Sequence, residues 1–590
     1  MDLFAWALVA LPAAAGLGGL LLRRRDHAAW LGVGAPAAAL VCAVVAGFGN
    51  PVTAFTLADF GSVAVSAALD LSPTAVAVAI AGALVSTLVQ LYSVAYLRDD
   101  PRYIPFAAQV NLFCAAMLLV VCADDLVFLL IGWEVMGACS YLLIAHYAKL
   151  PAAPGAAAKA FLVTRFGDVG FVLGVMALGV SAGTFRIGEL GEVSSGVATA
   201  SMLLILFGCV GKSAQFPLQV WLPPAMAGPT PVSALIHAAT MVAAGAYVLT
   251  RLLPVWPADL LLVVAIVAAV SMVGAGLCAF AATDVKGVLA WSTISQVGFM
   301  FAAVAVAAAD TALFHLLTHA AFKALLFLTA GVVIALAATD GSLATTRLRP
   351  RSSPLAFWSM TIGLAAMVGL PPLGGFFSKE AVLGAAYEAG TPAGVVVFWA
   401  GIVASIVTAA YSARLWLLLF WRGGGEERLA VPRLEAVGLW TLAVGAAVTG
   451  ALYFAGPLHV PELHLDLMAL LLIATAGGLY VVADSWWRDR ARDPNRLLGR
   501  SKGPLARGLY GEALTARATR TTARLASGAA MLLDERLVDR GAVEGSARAT
   551  LAAARRTALG HRGGLVRYLR LSVAGTLLVA VVAIGVNLWV

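Results

Sequence analysis

The sequence predicts an all-α polytopic membrane protein built on two repeats, each with one helix broken in mid-span. Three observations predict it. The chain has 590 residues, 61% of them hydrophobic and 12% charged, with a mean hydropathy of +0.92. Runs of about 20 apolar residues, long enough to cross about 30 Å of hydrocarbon, recur along nearly the whole length. Two of these runs are interrupted in the same way and carry a lysine at the interruption. One reads GCVGKSAQFPLQVWLPP, with Lys212 just before Pro217; the other reads MVGLPPLGGFFSKEAVL, with Pro371 and Pro372 ahead of Lys379. A lysine inside a bilayer costs about 2.5–3.5 kcal/mol on insertion scales, so a reason is needed for keeping it. Gly/Pro-interrupted helices at corresponding positions of two halves point to an ion pathway at a repeat interface. Finally, basic residues alternate between successive loops.

Sixteen candidate spans lie near 3–22, 28–47, 73–96, 104–121, 125–146, 159–180, 199–220, 232–253, 258–281, 287–307, 311–337, 355–375, 392–420, 434–455, 466–485 and 566–589. The first is not a cleaved signal peptide, because Arg23, Arg24 and Arg25 follow it rather than precede it. Loops after odd-numbered spans hold Arg23–Arg25, Arg98, Arg102, Lys149, Arg347, Arg349, Arg351, Arg422, Arg428 and Arg433. Loops after even-numbered spans hold Arg186 and Arg251. The positive-inside rule makes the odd loops cytoplasmic and puts both termini outside. A missed helix would scramble this alternation. The expected division is spans 1–3 (1–100), a first repeat of spans 4–8 (101–253), a second of spans 9–13 (254–421), spans 14–15 (422–485), a basic amphipathic helix (486–565) and a terminal anchor (566–590).

Residues 486–570 depart from the rest, with 18 Lys/Arg against 7 Asp/Glu. Alanine, leucine and arginine dominate and favour helix. Arg517, Arg520 and Arg524 share one face by 3/4 spacing. Sixty helical residues would reach about 90 Å, with Gly541, Gly545 and Gly560 as interruptions. Two accounts stand: a basic helix lying on anionic lipid, or a lateral arm gripping neighbouring subunits, which the last span would re-anchor.

Six cysteines stand singly in apolar runs without a CxxC pair, which argues against zinc or iron–sulfur ligation. Neither GxGxxG nor a P-loop is present. No cofactor, metal or nucleic acid is expected in this chain, and the bilayer is its first partner.

The intramembrane charges carry the chemistry. Glu134 lies mid-span in FLLIGWEVMGACSYLLIAHY, where an acid must be paired, protonated or facing water. Paired with Lys212, it would form a switch that loads and releases a proton; a static salt bridge is the simpler account. Arg165 and Asp168, three residues apart on one helix face, form either a local ion pair or a tuner of the Glu134–Lys212 pair. His237 sits just inside a span, and histidine titrates nearest neutrality. His315, His319 and Lys323 repeat at i, i+4 and i+8 as one polar stripe. Two histidines at i, i+4 suit metal, but HExxH and a third acidic or thiolate ligand are missing, so a hydrated proton path is expected instead. Lys286 stands near an interface, where it can snorkel. Lys379 and Glu380 adjoin the second break and would end the path.

These residues resemble a known family. GKSAQFPLQVWLPPAMAGPTPVSALIHAATMV at 211–242 is similar to the signature of the L subunit (mitochondrial subunit 5) of proton-pumping respiratory complex I. So are IGWEVMGACSYLLI, KAFLVTRFGDVGFVLG, DVKGVLAWSTISQVGFMF, HLLTHAAFKALLFLTAGVVI and GGFFSKEAVL, together covering roughly residues 70–420. The resemblance implies sixteen spans, two inverted antiporter-like repeats with broken helices 7 and 12, a lateral helix and a final anchor. It implies a proton path through Glu134, Lys212, His237, Lys286, His315, His319, Lys323, Lys379 and Glu380, with Arg165 and Asp168 beside it. NADH, FMN, iron–sulfur clusters and quinone would belong to partner subunits, and other membrane subunits would be gripped through the lateral helix, on the cytoplasmic side of a bacterial plasma membrane. The chain departs from the family at Pro224, where an acid is usual, and in the loop ATDGSLATTRLRPRSS. Two other classes of machine use the same repeats: an Mrp-type cation/proton antiporter, and a related hydrogenase or bicarbonate-uptake complex.

Overall fold

A computed structural model describes residues 1–587 apart from 62, 192, 424–427, 456–457, 459 and 561–563. They form two compact units, Met1–Gly511 and Glu512–Val590, the last three residues lying outside the described ones.

The first unit is a helical bundle with one hairpin. Its elements in order are α1 (Asp2–Gly19), α2 (Arg25–Gly47), β1 (Val52–Asp59), β2 (Ala64–Asp70), α3 (Pro73–Tyr96), α4 (Tyr103–Cys122), α5 (Leu126–Ile144), α6 (Ala152–Ala182), α7 (Ser195–Lys212), α8 (Thr230–His237) and α9 (Met241–Arg251). There follow α10 (Leu261–Ala281), α11 (Val285–Ala305), α12 (Ala309–Ala337), α13 (Pro354–Val368), α14 (Gly374–Glu388), α15 (Pro392–Phe420), α16 (Arg433–Val448), α17 (Leu452–Ala455), α18 (Leu465–Arg488) and α19 (Lys502–Ala506). Among the described residues, fifteen helical segments are long and apolar enough to cross a membrane. The remaining expected span falls on α13, which is apolar but shorter than those fifteen, and the start of α14.

Helix starts follow local chemistry. The Asp125 carboxylate accepts from Val127 N (2.8 Å) and Phe128 N (3.1 Å) and caps α5. Asp284 caps α11 through Gly287 N, and Thr391 caps α15 just ahead of Pro392. Each cap satisfies a backbone donor that the helix cannot satisfy itself.

Loop contacts keep the two sides of the bundle apart. Arg186, after the sixth span, donates to Asp124, after the fourth, at 2.6 and 2.8 Å. Arg251, after the eighth, lies 3.6 Å from Asp124 and 3.8 Å from Asp70. On the arginine-rich side, Arg25 donates to Leu97 O and Val94 O (both 2.9 Å), and Asp284 bridges to Ser342. Each of these loop contacts joins even loops to even loops or odd to odd, which is the alternation the arginines give. The hairpin β1–β2 was not expected. It is antiparallel, with Val52 opposite Asp70 and a bulge near Thr56/Ala58, and it rests on the even side, where Ser66 N donates to Asp125.

Both expected breaks are present. The first interrupts the chain between α7 and α8, where Ala214 takes φ +51°. The second separates α13 from α14 at Gly369 (φ +90°), a conformation for which glycine carries no penalty. A third break was not foreseen: span 8 divides into α8 and α9 at Ala238–Thr240. At the second break the half-helices approach so closely that a Cβ on Gly375 would lie 1.8 Å from Ala366 O. Gly375→Ala is therefore expected to push α14 from α13 and to cost about 1–3 kcal/mol or more. A lowered thermal midpoint of the purified assembly would register it; an unchanged midpoint would mean the approach is not tightly held.

The expected helix over 486–565 differs from the structure at its start. Pro494, Gly499 (φ +53°) and Gly508 (φ +58°) divide residues 489–510 into short turns within the first unit. The long helix begins at Gly511, as α20 (Gly511–Ala530). Gly541 and Gly545 do not interrupt it. The chain winds as a π-helix over Met531–Val543 and continues as α21 (Glu544–Gly560), before α22 (Leu565–Asn587).

Candidate functional site

The ionisable residues singled out from the sequence gather inside the first unit. Lys212, His237, His315, His319, Lys323, Lys379 and Glu380 are all 0% exposed. Seven buried polar groups in one bundle need partners, and the breaks supply many of them.

Lys212 ends α7. Its Nζ donates to Asp168 Oδ2 (3.2 Å) and to Trp133 O (3.3 Å), and lies 4.9 Å from the centre of the Trp133 ring. Trp133 Nε1 donates to the other Asp168 oxygen at 2.6 Å. The expected Glu134–Lys212 pair is therefore corrected: Asp168 is the partner of Lys212, and Glu134 pairs with Arg165. Packing explains the choice. Glu134 and Arg165 side chains are each 30% exposed, whereas Asp168 is 3% exposed. Arg165 also lies 3.9 Å from Asp168, so the four charges form one cluster. Asp168 reaches Lys212 because α6 lies very close to α7. A Cβ on Gly174 would sit 2.7 Å from Ser201 O, and one on Gly170 3.1 Å from Leu204 O. Small residues at i, i+3 and i+7 of α6 (Gly167, Gly170, Gly174) let membrane helices approach in this way. That spacing was visible in the sequence and identifies the α6 face toward α7.

His237 ends α8. Its ring packs against Phe327, 4.8 Å between centroids, and neither ring nitrogen has a hydrogen-bond partner among the described residues. The unwound turn after it frees Ala238 O, which accepts from His319 Nδ1 at 2.9 Å. This contact ties the end of α8 to α12. One turn away, His315 Nδ1 bonds Ser378 Oγ at 3.0 Å. One turn in the other direction, Lys323 Nζ donates to Ser292 Oγ (2.5 Å) and Leu289 O (3.4 Å) of α11.

Lys379 uses the second break. Its Nζ donates to Met367 O (2.8 Å) and Val368 O (3.2 Å), the last carbonyls of α13. A half-helix C-terminus leaves its carbonyls unpaired and carries partial negative charge, so a cation is favoured there. Glu380, next on the helix, points elsewhere: its Oε1 accepts from His464 N at 3.0 Å. Lys286 donates to Gly228 O at 3.2 Å and stands apart near the arginine-rich side. Among the described residues neither Lys323 nor Lys379 has a carboxylate within ion-pair distance, and no three His, Cys, Asp or Glu side chains gather as a metal would require. All six cysteines are buried singly as small hydrophobes.

Sequence reasoning missed the Arg414–Asp493 pair. Arg414 is 0% exposed, and donates from Nε and Nη2 to the two Asp493 oxygens at 2.6 and 2.7 Å. Burial raises the Asp493 pKa, but the Arg414 bonds and charge outweigh it and hold the carboxyl below its ordinary value. Nothing in the local sequence announces a pair separated by 79 residues.

The chain is similar to proteins of known families. The family described as NADH:quinone oxidoreductase/Mrp antiporter, TM, matches residues 123–407. That described as NADH-Ubiquinone oxidoreductase (complex I), chain 5 N-terminus, matches residues 57–107. NADH-quinone oxidoreductase subunit L of Pseudomonas aeruginosa is 43% identical over 383 residues, covering 62% of this chain and 61% of that one. The subunit L of Escherichia coli is 38% identical over 444 residues, covering 70% and 72%. That of Mycobacterium tuberculosis is 38% identical over 480 residues, covering 77% and 75%. Among solved structures, the Mrp complex of a Dietzia species matches 99% of this chain and 62% of that one, with 27% identity and a TM-score of 0.74. An archaeal membrane-bound sulfane sulfur reductase, 24% identical with a TM-score of 0.66, shares the fold.

Fold and buried charges together define an antiporter-like subunit of an integral membrane complex. Within that class, the chain belongs to the family of NADH-quinone oxidoreductase subunit L.

Proposed function

We propose that this chain moves protons across the membrane as a subunit of an NADH:quinone oxidoreductase, driven by electron transfer in other subunits. The observation that carries this reading is the set of buried ionisable groups inside the first unit, several of them bonded to backbone carbonyls at the breaks. Asp168 and Lys212 form the loading pair at one end, tuned by Arg165 and Glu134. His237, His319, His315 and Lys323 carry the middle. Lys379 and Glu380 lie at the far end, and Lys286 serves the arginine-rich side. Lysines and histidines exchange protons, whereas Na⁺ calls for a cage of oxygen ligands; the composition of the row favours H⁺.

NADH, FMN, iron–sulfur clusters and quinone belong, on this reading, to partner subunits. Helices α20 and α21 reach neighbouring membrane subunits as a lateral arm on the cytoplasmic side of a bacterial plasma membrane. The likeness to the Dietzia Mrp complex supports a second reading, a cation/proton antiporter without a redox partner.

Gentle solubilisation of the tagged chain from its native membrane, followed by mass spectrometry, separates the two. Recovery with flavin- and iron–sulfur-bearing NADH dehydrogenase subunits is the expected result. Recovery with small antiporter subunits alone would overturn the redox-driven reading and leave the second one standing.

A further inference from the structure

Lys286 is partly buried, whereas Lys212, His237, His315, His319, Lys323, Lys379 and Glu380 are closed off from the surface. A proton must reach Lys323 from one face of the membrane. The Lys323 ammonium is bonded to Ser292 Oγ on α11. Ser292 and Gln296 lie one turn apart on one face of α11, and Thr408 and Tyr411 one turn apart on one face of α15, so the contact between Gln296 and Thr408 brings the face carrying Ser292 against the face carrying Tyr411. Gln296 Nε2 donates to Thr408 Oγ1 at 3.4 Å. Tyr411 is 0% exposed, yet its hydroxyl and Gln296 Oε1 have no hydrogen bond of ordinary geometry among the described residues. Two other buried tyrosines, Tyr92 and Tyr247, tie their hydroxyls to Leu328 O and Val121 O, whereas the Tyr103 hydroxyl is unpaired like that of Tyr411. An unpaired buried hydroxyl asks for an explanation, and a bridging water is the ordinary one.

The lane continues from there. Arg414 follows Tyr411 at i+3 on the same face of α15, about 4.5 Å along the axis. Arg414 holds Asp493 with two nitrogens, while its Nη1 has no partner among the described residues. The Asp493 side chain is 27% exposed, and it lies beside the loops rich in arginine. The succession Asp493, Arg414, Tyr411, Ser292, Lys323 thus runs from the surface to the middle of the row.

We infer that Tyr411 is a proton relay that connects the central Lys323, through Ser292, to the Arg414–Asp493 mouth on the arginine-rich side. The inference rests on the proton-carrying role proposed above for Lys323. The step begins once Lys323 has passed a proton along the row and stands as the neutral amine. The Tyr411 O–H bond then breaks as its proton passes toward Ser292, and a new O–H bond forms with an excess proton delivered from the aqueous phase on the Arg414 side. Ser292 does the same, and the Lys323 amine becomes the ammonium. Tyrosine and serine end neutral as they began, and no electron moves.

Two substitutions of Tyr411 separate relay from packing. Tyr411→Phe keeps the volume and removes the hydroxyl; Tyr411→Ser keeps a hydroxyl, admits water and loses the volume. The intact complex carrying each variant is reconstituted in vesicles, and proton translocation driven by NADH oxidation is measured beside Lys323→Met. A positioned proton-transfer group contributes on the order of a hundredfold, and a loss of that order is expected for Tyr411→Phe, with a larger share retained by Tyr411→Ser. Normal translocation by Tyr411→Phe beside an inactive Lys323→Met would overturn the relay and leave the row intact. Normal translocation by Lys323→Met would sink the role of the row itself.

Discussion

Replacing Asp168 with asparagine is expected to destabilise the assembly by about 3–5 kcal/mol and to abolish proton translocation. The shape barely changes, and the bond from Trp133 Nε1 to the side chain at 2.6 Å can persist. The negative charge 3.2 Å from Lys212 Nζ is lost. Lys212 is 0% exposed, so a buried ammonium is left with one carbonyl and one aromatic ring. Removing one partner of a buried pair carries that order of cost because the remaining charge is uncompensated, whereas removing both is often neutral. The double variant Asp168→Asn/Lys212→Met should therefore recover most of the stability and none of the translocation. Thermal denaturation of the purified complex and proton uptake into vesicles measure the two effects. Wild-type stability in the single variant would show that Asp168 does not compensate Lys212.

Lys323→Met is expected to abolish translocation with the opposite effect on stability. Lys323 is bonded to a hydroxyl and a carbonyl, with no carboxylate in ion-pair range among the described residues. Burying an uncompensated charge opposes folding, and methionine fills similar space with an adaptable apolar chain. The variant should assemble with a thermal midpoint equal to or above that of the wild type. NADH oxidation and proton uptake measured together would show electron transfer without pumping. A marked loss of stability would mean that Lys323 is a structural lysine.

Much of the architecture was legible because a bilayer permits few solutions. Span length, apolar composition and the arginines between spans each constrain the same count, and loop contacts such as Arg186–Asp124 follow that alternation. The breaks at Pro217 and Pro371–Pro372 announce themselves through proline. The break at Ala238–Thr240 has neither proline nor glycine, and Ala-Ala-Thr alone reads as helix; tertiary contacts, including His319 to Ala238 O, accompany the unwinding. The partner of Lys212 was misassigned to Glu134 for a different reason. Two acids lie within reach in the sequence, and only the approach of α6 to α7 selects Asp168. The start of the long helix at Gly511 was missed because the basic composition begins earlier than the regular winding.

The two broken helices come from one pattern, yet their lysines live in different electrical surroundings. Lys212 faces a dedicated carboxylate; Lys379 faces the carbonyl dipoles at the end of α13 and the Phe299 ring, with no carboxylate in ion-pair range among the described residues. A row with a counter-ion at one end is not equivalent to its mirror image. An extra positive charge has a different resting cost at each end, so the row is polarised before any driving force is applied. On the proposed reading, the loss of equivalence between the two docks gives the line a forward and a backward sense.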